Sequence, residues 1–160
     1  MSNSSRTRAL IRALVTVGAL LTAPVAQAQD FRGGGVITDF AGCEVQGFRG
    51  AEVVRARLRL GSPEGNPNTT LSLFFPDGAI DLTLPGEIAR GTAWSRAWGT
   101  AIWFGPGNWD PRPRLRFRQV TPVGASTVAE ATDLLLRLQV RGFNWLAGCN
   151  VSIAVALTRA

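Results

Sequence analysis

The residues able to do acid–base chemistry in this chain are carboxylates, and two pairs of them lie close in sequence: Asp77 with Asp81, and Glu130 with Asp133. Two carboxyl groups held across a cleft can hydrolyse a glycosidic bond, one protonating the leaving oxygen while the other attacks or activates water. Neither spacing fixes such a separation, and acids beside turns ordinarily cap and solvate the chain. The sequence contains no His and no Lys. That excludes a Ser–His or Cys–His nucleophile pair, a His-ligated metal, a Schiff base and a Lys-bearing phosphate loop. The expectation is a non-catalytic protein with no metal and no cofactor. Gly33-Gly34-Gly35 lacks the dinucleotide spacing and reads as a flexible lead-in.

Arginine placement offers a different chemistry. Every basic side chain is an Arg, seventeen in all, and many alternate: Arg55, Arg57 and Arg59, then Arg112, Arg114, Arg116 and Arg118, then Arg137 and Arg141. Alternate residues of a strand share one face. If these strands adjoin, like charges oppose one another, which is unfavourable unless acids or a bound anion intervene. One reading is therefore a surface for an anionic envelope glycan or lipid head group. The plainer reading is that Arg solvates the outer face of a sheet while its stem covers apolar surface. Whether the strands adjoin is a question the sequence leaves open.

Tryptophan gives a second constellation. Trp94, Arg96 and Trp98 share a face, so Arg and Trp there would stack as a cation–π ladder, and an exposed face would stack sugar rings. Burial in the core is the expectation for Trp94, Trp98 and Trp103, because large aromatics dominate core energetics. Trp109 differs. It sits in a Gly- and Pro-rich loop over 105–113, where an aromatic either plugs one end of the fold or contacts a ligand.

The elements that must position these residues are strands. Period-two alternation recurs, with Gly, Pro, Asn and Asp between the runs, which is the all-β pattern. Val54, Ala56, Leu58 and Leu60 point one way and the Arg residues between them the other. Leu71, Leu73 and Phe75 run into Pro76-Asp77-Gly78, a turn, and Ile80, Leu82 and Leu84 return. Residues 93–104 form a strand or two short ones, and Arg114 to Val120 another. Between 126 and 140, Thr127 and Glu130 could cap a helix, and we expect a loop or short helix followed by a strand from about Thr132 to Arg141. Val151, Ile153, Val155 and Leu157 face inward on the last strand. Seven to eight strands predict an antiparallel β-sandwich, with a small closed barrel as the alternative.

The first 28 residues carry Arg6, Arg8 and Arg12, then an apolar run to about Val25, then Ala26-Gln27-Ala28: the layout of a signal peptide cleaved after Ala28. The run is too short to span a bilayer stably, and no other stretch reaches that length. Residues 29–160 then form a single β domain that is periplasmic or secreted. Of the 160 residues 46% are apolar and 18% charged, and the formal charge is +6. Losing three Arg with the signal leaves fourteen against eleven acids, a charge of +3, which weakens the case for a nucleic-acid partner. Cys43 and Cys149 are the only cysteines, and in an exported chain they predict one disulfide. The function expected is a non-catalytic binding or structural role in the cell envelope. The alternative is a glycan- or head-group-binding module using Trp109 and the Arg-faced strands, and a carboxylate hydrolase is a third reading.

Overall fold

A computed structural model describes residues 29–62, 65–102 and 112–160. Eight strands run in chain order: β1 (Asp30–Ala41), β2 (Glu52–Arg59), β3 (Asn68–Phe75), β4 (Gly78–Pro85), β5 (Ser95–Arg96), β6 (Arg114–Val123), β7 (Asp133–Arg141) and β8 (Asn150–Arg159). They make one antiparallel sheet in the order β4-β3-β2-β1-β8-β7-β6-β5. The edges approach each other. Thr83 and Trp98 exchange backbone hydrogen bonds of 2.7 and 3.0 Å, and the Asp81 N–H donates to the Thr100 carbonyl at 3.1 Å. The sheet is thus a nearly closed barrel, the second of the two architectures expected, with its walls facing one another across a shared core as the layers of a sandwich would.

Alternation decides which side chains fill that core. Val54, Ala56 and Leu58 of β2 are buried, as are Leu71 and Leu73 of β3, Ile80, Leu82 and Leu84 of β4, and Val151, Ile153, Val155 and Leu157 of β8. The Pro76-Asp77 turn joins β3 to β4 in the register Phe75↔Gly78 through Asn68↔Pro85. Residues 126–130 form turns and no helix, with the Thr127 hydroxyl donating to the Glu130 carboxylate at 3.0 Å. β7 then begins at Asp133.

Three expectations change. Gly33-Gly34-Gly35 lies inside β1, paired with both β2 and β8, and is no lead-in. A Cβ on Gly35 would come within 2.0 Å of the Ala154 carbonyl oxygen and 2.7 Å of the Val155 Cα, so only glycine lets β8 approach so closely. The Trp-rich segment yields only the two-residue β5 and the bridge at Trp98 among the described residues. Trp98 is 46% exposed, and the most buried of the described tryptophans is Trp145, at 9%, in the 3₁₀ turn Phe143–Trp145. Trp103 and Trp109 lie outside the described residues, as does the 1–28 segment.

The two ends of the barrel differ. At one end the Cys43–Cys149 disulfide links the chain just after β1 to the chain just before β8. Phe40, Phe48, Phe75 and Phe143 pack there with ring centroids 5.4 to 6.2 Å apart. A buried hydrogen bond joins the Asn144 amide to Gln46 Oε1 at 3.2 Å. The other end, where β1 starts and β2 and β8 finish, is bounded by the connections over 86–94 and 124–132. No helix among the described residues is long and apolar enough to cross a membrane.

Candidate functional site

The Arg-bearing strands fall into two groups. β6 and β7 adjoin, whereas β2 is separated from β7 by β1 and β8. Arg55, Arg57 and Arg59 therefore lie apart from Arg112, Arg114, Arg116 and Arg118. The intervening outer wall carries Gly34, Val36, Ala154 and Ala156. Arg57 is not a free charge, because its guanidinium forks onto Asp30 with Nε at 2.8 and 2.9 Å from the two carboxylate oxygens. That pairing, set against some burial, holds the Asp30 carboxyl below its ordinary value and raises Arg57.

On the opposite side of the sheet the positive charges are less compensated. Arg96 of β5 stands in register with Arg114 of β6, and Arg114 with Arg141 of β7. Directly opposed residues of an antiparallel pair share a face with Cβ atoms about 5 Å apart. Three guanidinium stems thus run abreast on the outer wall. Among the described residues no carboxylate lies within 4 Å of any of the three.

Trp94 packs into this group: the Arg141 guanidinium carbon is 4.2 Å from its ring centroid and that of Arg116 is 4.6 Å. The expected ladder joined Trp94 to Arg96 and Trp98 of its own segment; the cations over the Trp94 ring are instead Arg116 of β6 and Arg141 of β7. Arg116 also donates to Gln139 Oε1 at 2.7 Å, while its Nε is buried with no hydrogen-bond partner. Desolvation, then the charges of Arg118 and Arg141, hold Arg116 below the usual guanidinium value.

Arg118 breaks the row. The β6–β7 register slips between Phe117 and Gln119, so Arg118 is the extra residue of a β-bulge. The Phe117 carbonyl there accepts a 3.1 Å hydrogen bond from Gly91, tying the β4–β5 connection to the bulge. Arg118 and Arg90 face a common hollow with Gly91 and Thr92. Beyond Arg90 opens a cleft of about 570 Å³ at the barrel end remote from the disulfide. Leu60, Ile88, Val120, Pro122 and Val128 are its apolar walls, and Gln29 contributes a buried Oε1 with no hydrogen-bond partner.

The carboxylates singled out for hydrolysis lie in turns and on the outer wall. Asp77 is in the exposed β3–β4 turn, while Asp81 accepts from Ser72 at 2.6 Å and from Thr100 at 3.0 Å on the outer wall. Asp133 accepts from Thr158 at 2.7 Å. Trp109 is outside the described residues, and Arg112 is exposed at the entry to β6.

Arg90 and Gln29 had no motif to mark them. The bulge did leave a trace, since the inward parity of β6 shifts from the odd positions Leu115 and Phe117 to the even ones Val120 and Pro122. No protein-family model, no curated protein and no solved structure matches the chain.

Proposed function

We propose that this chain is an exported, non-catalytic binding protein of the cell envelope whose outer wall holds an anionic glycan or lipid head group. The observation that carries the reading is the in-register row Arg96–Arg114–Arg141, three cations side by side with no carboxylate within 4 Å among the described residues. Such a row costs folding energy in isolation and becomes favourable when phosphate, sulfate or carboxylate oxygens bridge the guanidiniums. Trp94 acts here as a brace for Arg116 and Arg141, so guanidinium forks and not ring stacking do the recognising. Export is supported by the Cys43–Cys149 disulfide, which an oxidising compartment permits, and by the basic-then-apolar layout of the first 28 residues.

The test is retention of the mature chain on a heparin-type resin. We expect binding at low salt and elution as salt rises, through counterion release. The Arg114→Gln/Arg141→Gln variant should elute at distinctly lower salt, and Arg55→Gln/Arg59→Gln should change elution less. Flow-through of the wild type at low salt overturns the proposal.

A further inference from the structure

We propose that the barrel end remote from the disulfide is a second binding site, for a single acyl chain carrying an anionic head. Its apolar part enters the cleft walled by Leu60, Ile88, Val120, Pro122 and Val128, and its head lies between Arg90 and Arg118. The site stands apart from the outer-wall row and does not depend on it.

Four observations converge there. The cleft, at about 570 Å³, has the size of a small-molecule site and opens at a barrel end, where such sites are commonly formed. It continues along the β4–β5 connection: Arg90 lines the cleft, the hollow beside Pro85 and Phe117, and the hollow of about 350 Å³ that it shares with Arg118. The bulge at Arg118 turns one extra cation out of the β6 ladder toward that connection, and the Gly91–Phe117 hydrogen bond fixes the two segments together. Neither Arg90 nor Arg118 has a carboxylate within 4 Å among the described residues.

Gln29 adds a polar anchor, since its buried Oε1 would accept from a hydroxyl near the head of the chain. Glu87 also lines the cleft and opposes a second negative group there, so a chain with one anionic head fits better than a dianion spread over both rims.

The experiment titrates the mature wild-type chain, by calorimetry and below the micelle threshold, with dodecyl phosphate, dodecanoate, dodecanol and inorganic phosphate. We expect one-to-one binding of both anionic amphiphiles, weaker binding of dodecanol, and none of inorganic phosphate in the same range. Removal of both cations, Arg90→Gln/Arg118→Gln, should weaken dodecyl phosphate about tenfold or more, because charge-assisted hydrogen bonds to the head are lost. Ala129→Trp, which fills the cleft from an exposed position on its rim, should abolish it. Arg114→Gln/Arg141→Gln should leave it unchanged, which separates this site from the outer wall. No binding by the wild type, binding indifferent to both cleft variants, or binding lost with Arg114→Gln/Arg141→Gln would each overturn the inference. Dodecanoate bound more tightly than dodecyl phosphate assigns a carboxylate head, and the opposite preference assigns a phosphate.

Discussion

At the scale of single residues, Asp30 shows how a charge pair on a barrel wall acts on stability. Its carboxylate takes the Arg57 fork and lies 3.6 Å from Arg32, and its proton affinity in the fold is below the ordinary carboxylate value. A carboxyl whose folded value is depressed contributes stability above its unfolded value, about 3.9, and that contribution disappears as pH falls through the folded one. Asp30→Asn should therefore lower the denaturant midpoint at pH 7, and the gap to wild type should narrow as pH falls below the unfolded value and through the depressed folded one. A gap that does not narrow at all across the acid range would show that the carboxylate charge is not what matters. Trp94 makes a second residue-level case. Trp94→Leu keeps an apolar filler but removes the ring face, so Arg116 and Arg141 lose their brace, and the salt needed to elute the chain from heparin resin should fall while its melting temperature changes little.

At the scale of elements, strands that could be read from the sequence are those whose neighbours impose a strict inside and outside. β2, the β3–β4 hairpin and β8 alternate without interruption, and Pro76-Asp77-Gly78 supplies a turn with its own backbone preferences. β1 was harder, because three consecutive glycines have no side chains to alternate. Their reason for being there is the partner strand, since the β8 backbone occupies the space a Cβ would need. Gly35→Ala should accordingly destabilise by about 2 kcal/mol or more, as forced overpacking against backbone does, measurable by urea denaturation; a loss well under 0.5 kcal/mol would mean the strands have room to separate. The order of strands around the barrel, and hence which Arg groups meet, rests on β1 pairing with β8 across the whole chain, which no local pattern encodes. The cleft was equally hidden. Its walls come from strand ends and from two connections whose sequences carry no motif, and they become one surface only when the barrel curls.

At the scale of the whole molecule, the barrel has one stapled end and one open end. The disulfide closes a loop spanning a sequence separation of 106, which by chain entropy corresponds to about 4 to 5 kcal/mol. Reduced protein, or Cys43→Ala/Cys149→Ala, should unfold at clearly lower urea while retaining some affinity for dodecyl phosphate, since the cleft lies at the opposite end; loss of the fold's stability with unchanged urea midpoint cannot both hold, so an unchanged midpoint would refute the staple. The same adjacency of β1 and β8 has a consequence for folding. β1 gains its second neighbour only when β8, the final ten-residue strand, is available, and the Ala160 N–H donates back to the Asp30 carbonyl at 2.8 Å. Until β8 docks, the sheet has an open seam along β1. Shutting the barrel therefore waits on a pairing between the most distant strands in the sequence, a non-local contact of the kind that slows folding and leaves strand edges exposed in the meantime.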